Sequence, residues 1–206
     1  MPFRKTRRTT RRRRALTKRV ARLERVSRPE TKFQQEESGE FDTVGSITGT
    51  LLHPQQLAEG VGRNQRIGNK VKSRNIRFQG LLKMPANPSS STTAVRVLVL
   101  RSKIEDPTTS DMPSWYGSVD EDKFFVVKDI ITQVTAIQAR TVDGTSYQTG
   151  SSLRRFKFNL KTGLRKLQYD GASYQSPSNN EYIIYMLAEN QSAEIAYNWT
   201  HYYLDN

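Results

Sequence analysis

An all-β domain preceded by a basic arm is the architecture this sequence predicts, and three observations predict it. Short β-branched and aromatic runs are set apart by Gly, Pro, Asn and Ser clusters. Several of those runs alternate apolar and polar residues with period two. Finally, a block of arginines leads into a body that is close to electrically neutral. The 206 residues carry a net charge of +13. Residues 1–32 hold fourteen Lys or Arg against Glu24 and Glu30, so +12 of that charge lies in the leading segment and +1 in everything after it. At this length the chain holds one domain of ordinary size and a tail, long enough to bury a substantial core.

The arm comes first. Arg4 to Arg14 contains eight basic residues and no acid, so with almost nothing to bury it is expected to be disordered until it meets a polyanion. From Ala15 the pattern changes. Leu16, Val20 and Leu23 recur at i, i+4 and i+7, Val26 follows, and Lys18, Arg19, Arg22 and Arg25 take the other sides, which predicts a short amphipathic helix over about 15–27, ended before Pro29. A dense cationic block joined to a neutral domain is the arrangement of a nucleic-acid tether, because each neutralised phosphate releases counterions without any base being read. The residues expected to hold phosphate are Arg4, Lys5, Arg7, Arg8, Arg11, Arg12, Arg13, Arg14, Lys18, Arg19, Arg22, Arg25 and Arg28. The bland alternative is a solvated tail or a nuclear-import signal.

Residues 33–40 read as a polar linker, and 41–206 as the folded domain. Eight strands are expected, near Phe41 to Leu52, Lys70 to Leu82, Ala94 to Lys103, Phe124 to Thr135, Leu153 to Lys161, Arg165 to Tyr169, Tyr182 to Ala188 and Ala193 to Leu204. In the fifth, Phe156, Phe158 and Leu160 share one face while Arg155 and Lys157 share the other, so the phenylalanines are expected in the core. Together with Lys161, Arg165 and Lys166 these cations are candidates for a basic surface turned toward the nucleic acid. Ile195, Tyr197, Trp199 and Tyr203 alternate in the same way near the C-terminus. The third and seventh strands are apolar on both faces, which requires cover from a second sheet or from a neighbouring subunit. Eight strands without long helices between them fit a jelly-roll sandwich. An immunoglobulin-like sandwich is the runner-up, although the cysteine pair of antibody-type domains is missing. The long loops Met84 to Thr93 and Ile104 to Asp122 are expected to carry subunit contacts.

Other classes find little support. With no cysteine there is neither a disulfide nor a Cys-based zinc site. His53 and His201 are far apart in the chain and read as packing or hydrogen-bonding residues. No Gly-x-Ser-x-Gly turn or P-loop is found, and the acidic pairs Glu36-Glu37, Glu105-Asp106 and Asp120-Glu121-Asp122 sit in polar loops, so no enzyme is expected. No run of about eighteen apolar residues occurs and the N-terminus lacks the apolar core of a signal peptide, so no membrane association is expected.

One stretch carries a resemblance. Glu59-Gly60-Val61-Gly62-Arg63-Asn64-Gln65-Arg66-Ile67-Gly68-Asn69-Lys70-Val71-Lys72, the run Lys123-Phe124-Phe125-Val126-Val127-Lys128-Asp129, and Tyr182-Ile183-Ile184-Tyr185-Met186-Leu187 followed by an aromatic strand to Asp205 resemble the coat protein of satellite tobacco necrosis virus and the capsid proteins of small circular single-stranded DNA viruses. The resemblance spans nearly the whole chain. It implies a jelly-roll subunit, a sixty-copy shell, and inward-projecting arms on a single-stranded viral genome read without sequence preference. It also implies residence in the virion, with assembly in the host nucleus or cytoplasm. Host, receptor and the choice of RNA or DNA stay open. Some members of that family bind calcium between subunits, through the loop that here contains Ile67 and Lys70 and a carboxylate that matches Asp205. Ile67 and Lys70 supply no side-chain oxygen. The expectation is therefore no metal or other cofactor, with Lys70 and Asp205 forming an ion pair between subunits in its place. The rival reading is a non-viral nucleic-acid binder, ribosome- or chromatin-associated, which an aromatic platform interleaved with Lys or Arg would favour.

Overall fold

The computed structural model describes residues 31–85, 90–136, 140–142, 145–147, 152–171 and 175–205. All thirteen arm cations named above, and the expected helix over 15–27, lie outside them. The strands are β1 (Thr31–Glu37), β2 (Asp42–Val44), β3 (Thr50–Leu52), β4 (Lys70–Lys83), β5 (Thr92–Ser102), β6 (Phe124–Thr135), β7 (Arg140–Val142), β8 (Thr145–Tyr147), β9 (Arg154–Gln168), β10 (Tyr182–Ala188) and β11 (Ala193–Asp205). One sheet has the order β1-β11-β4-β9 with β2 continuing along the edge of β11 beyond β1, and the other has the order β3-β10-β5-β6. Every pairing between these strands is antiparallel. Counting β1 and β2 as one interrupted strand gives four strands per sheet, and the short β7-β8 hairpin is an insertion. The fold is the predicted jelly roll.

The eight strands are not the eight expected. Thr31–Glu37, read as the end of the arm and a linker, is a strand paired with β11 from Thr31 opposite Leu204 to Glu37 opposite Asn198. Apart from Phe33 its residues are polar, as suits a sheet edge with one face open, so it owes its conformation to β11 rather than to its own propensity. Phe41 to Leu52, expected as one strand, is two, and they join different sheets. The corner between them passes close to β10 at Gly49, where a Cβ would lie 2.3 Å from the Met186 carbonyl oxygen. Conversely, the two strands expected at 153–161 and 165–169 are the single strand β9.

The core lies between the sheets. Val44, Phe78, Leu82, Ile195 and Trp199 from one side meet Val95, Val97, Ile184 and Met186 from the other. Phe156 and Phe158 turn inward as expected and stack on Phe78, with ring centroids 5.7 and 5.1 Å away. β10 is buried along its whole length. Its second face, with Leu98 and Leu100 of β5, is covered from within the chain, by Ile104, Met112, Trp115 and Val119 of the segment before β6. Arg96 holds that segment down by donating to the carbonyls of Trp115 and Gly117, at 2.8 and 3.0 Å, while its guanidinium also pairs with Asp129 at 2.8 Å. The long loop expected to serve neighbouring subunits completes the packing of its own chain.

Candidate nucleic-acid interface

β9 decides which cations reach the surface. From Phe156 to Thr162 its even-numbered residues turn inward, and beyond Leu164 Leu167 and Tyr169 are the buried ones. Between them Gly163 and Leu164 take positive φ of 68° and 55°, a bulge that reverses the alternation. Opposite it, β4 slips register between Ser73 and Asn75. Arg155, Lys157, Lys161 and Lys166 consequently share the outer face of the sheet. Arg165 does not: it lies opposite the buried Ser73, on the core side, and is half-buried, which corrects its expected place among the surface cations. The physical reason is the bulge, since an uninterrupted alternation would have left Arg165 outside.

The register adds cations that strand-by-strand reading missed. Lys72 stands opposite Lys166, Arg77 opposite Asn159, and Arg74 is the extra residue of the β4 bulge. Seven cations, Lys72, Arg74, Arg77, Arg155, Lys157, Lys161 and Lys166, thus line one face of β4 and β9, and none of them forms an ion pair among the described residues. Toward β11 and β1 the same face becomes aromatic. Phe33 and Tyr202 lie together with centroids 6.4 Å apart, Arg77 sits over the Tyr202 ring at 5.0 Å, and Arg63 approaches Phe33 at 6.0 Å. A positive sheet face with exposed rings is suited to a single-stranded polyanion.

No family model matches the chain, and no curated protein is significantly similar to it. Two solved virus structures are similar in fold. One is a chain of Broad Bean Stain Virus determined by cryo-EM, with 14% identity over 83% of this chain and 84% of that one at a TM-score of 0.33. The other is the BFDV capsid protein, crystallised as a 60-mer, with 7% identity over 84% of this chain and 90% of that one at a TM-score of 0.30.

A second arrangement closes the end of the sandwich around the loop that carried the resemblance. Arg66 is wholly buried. Its Nε donates to the Leu57 carbonyl at 3.2 Å, its Nη1 is shared among Glu59 and Asn69, both at 3.2 Å, and the Gly68 carbonyl, and its Nη2 donates to the Gly171 carbonyl. The guanidinium lies 4.4 Å above the Tyr169 ring. One planar fork thus gathers the carbonyls of a loop that has no regular structure of its own.

Beside it, Asp205 receives a cation, but not the one expected. Lys70 is exposed and stands opposite Gln168, whereas the Nζ of Lys32 lies 2.7 Å from Asp205 Oδ2 and donates to the Gln65 carbonyl at 3.0 Å. Pairing of β1 with β11 puts Lys32 opposite Tyr203, on the face that Asp205 shares, so the cation comes from the same chain. The Ile67 amide donates to the other oxygen of the carboxylate at 3.3 Å. The Asp205 carboxylate and the Gln65 carbonyl both hold the Lys32 ammonium, and Ile67 and Lys70 supply no side-chain oxygen. Replacing Lys32 with Met is expected to cost about 2 kcal/mol of unfolding free energy, because Asp205 then keeps a largely buried charge without its partner. Replacing Lys70 with Ala is expected to leave stability within about 0.5 kcal/mol. Equal effects of the two substitutions in urea titrations would show the assignment of Lys32 to be wrong.

Proposed function

We propose that the chain is a viral capsid subunit that assembles into a small T=1 icosahedral shell of about sixty copies and packages the genome through its Arg-rich arm. The observation that carries this reading is the separation of charge. The segment ahead of β1 has thirteen basic and two acidic residues, and the jelly roll it precedes has one broad face of unpaired cations. The arm supplies salt-dependent attraction to phosphate and the β4-β9 face supplies a fixed lining for the shell interior. Closure itself comes from subunit contacts repeated under closed icosahedral symmetry. The proposed role is structural and involves neither catalysis nor a cofactor, and its place is the virion.

Charge matching sets the scale. Sixty arms of net +11 carry roughly 700 positive charges, which points to a genome on the order of one kilobase before the sheet face is counted. Mass measurement on purified protein tests the reading, with particles of millions of daltons containing nuclease-protected nucleic acid as the expected result. Deleting residues 1–14 is expected to preserve the fold, seen as an unchanged circular dichroism spectrum, and to give empty particles or none. Full packaging by that truncation would refute the role of the arm.

The Phe33–Tyr202 platform, with its two arginines, favours a second reading as a non-viral nucleic-acid binder. A soluble monomer or dimer that never closes into particles would select it.

A further inference from the structure

Two grooves open on the outer face of the β1-β11-β4-β9 sheet, and their linings differ in kind. One, of about 390 Å³, includes Glu37 and Ser38. The other, of about 470 Å³, contains no acid; Arg77, Gln79, Lys157, Asn159, Asn198 and Tyr202 are among its lining residues. We propose that this second groove is a subsite for one unpaired nucleotide of a single strand, its base stacked on the Tyr202–Arg77 platform and its flanking phosphates held by Lys157 and the neighbouring cations. The proposal rests on the reading that this face meets nucleic acid, and adds to it a preference for single strands.

The chemistry of the lining supports that ligand. A half-buried tyrosine ring with a guanidinium 5.0 Å over it offers a flat, polarisable surface, on which bases of any identity stack. The floor is made of amides whose carbonyls are already used within the sheet: Gln79 accepts from Arg155 at 2.8 Å and Asn159 accepts from Asn75 at 3.2 Å. Their NH₂ groups are left as donors suited to a base edge. A base inside a duplex presents neither an open π-face nor a free pairing edge, so a double strand gains only the phosphate contacts. The first groove serves as an internal contrast, because there Glu37 offsets the one cation of the lining, Arg155, whereas the second groove has two cations and no acid.

The test uses full-length subunits held below the concentration at which they associate, in about 0.5 M salt so that arm contacts are partly screened. Binding of a fluorescent single strand of about twelve nucleotides is compared with that of the matching duplex, for the natural chain, Tyr202→Leu, Glu37→Gln and the deletion of residues 1–14. Tyr202→Leu keeps an apolar side chain against Phe33 while removing the ring. The expected result is about tenfold weaker single-strand binding for Tyr202→Leu with duplex binding unchanged, and no loss for Glu37→Gln. Photo-crosslinking of an iodouracil-containing strand is expected to modify the peptide that contains Tyr202, and to lose that adduct in the variant. Unchanged single-strand affinity in Tyr202→Leu together with an adduct elsewhere would overturn the subsite. If the arm deletion alone weakens both ligands, the packaging reading survives that failure; if the deletion weakens neither, the packaging reading is what fails.

Discussion

Replacing Arg66 with Met is expected to lower the unfolding free energy by about 4 kcal/mol, in the range found when a buried charged group is cut out of its hydrogen-bonding shell. The cost comes less from the lost ion pair, since Glu59 is a third exposed, than from the carbonyls of Leu57, Gly68 and Gly171 that the substitution strands without donors. Arg66→Lys is expected to recover less than half of it, because one ammonium cannot reach the three carbonyls and Asn69 together or lie flat on Tyr169. Denaturant titrations of both variants check this. A loss below about 1 kcal/mol for Arg66→Met would mean that the 59–70 loop holds its shape without its central side chain.

Acid is expected to destabilise the fold through His201. Its Nε2 lies 2.9 Å from Ser73 Oγ, which also receives the Gln55 amide at 2.7 Å. The Gln55 amide donates to the serine oxygen and leaves the serine proton free for the imidazole, while the other ring nitrogen, Nδ1, has no partner among the described residues. A proton there has no place to go. Complete burial pushes the His201 pKa from 6.5 down to about 3. With the folded value depressed, the unfolded chain takes up a proton below pH 6.5 that the folded chain refuses until near pH 3. Stability therefore falls by about 1.4 kcal/mol per pH unit across that window, on the order of 5 kcal/mol in all.

Glu181 works the other way. Burial raises its pKa, opposed by its contact with His53 at 3.1 Å, so its contribution is present at low pH and lost as the pH rises through the folded value. The two effects separate in His201→Gln, whose carbonyl still accepts from Ser73 but does not titrate. Urea unfolding between pH 7 and pH 4 is expected to show the natural chain losing about 3 kcal/mol more than the variant, the share of that loss that falls above pH 4. Parallel profiles would show that His201 is not the group responsible.

The alternation that announced a sandwich was legible because it is local: Phe156, Phe158 and Leu160 turn inward whatever the neighbouring strand is. The count of eight strands came out right although two of its parts were mistaken. Reading Phe41 to Leu52 as one strand and β9 as two left the total unchanged, since a Gly-rich corner looks like a continuous strand when its sheet is unknown, and a bulge with positive φ looks like a break. β1 gave no signal at all, because Lys32, Gln34, Gln35 and Glu36 have no strand preference and are ordered by β11.

The candidate site divides along the same line. By itself the sequence determined where the charge lies, an arm of one sign ahead of a balanced body, because net charge along a chain needs no neighbours to be counted. It also determined that the domain is built of strands with a buried aromatic face. Only the tertiary structure decided which cations stand together: Lys72, Arg74 and Arg77 join those of β9, Arg165 leaves them, and Lys32 rather than Lys70 meets Asp205. Those outcomes depend on register, and register is set by bulges and by which strands pair, through contacts between residues 72 to 173 positions apart.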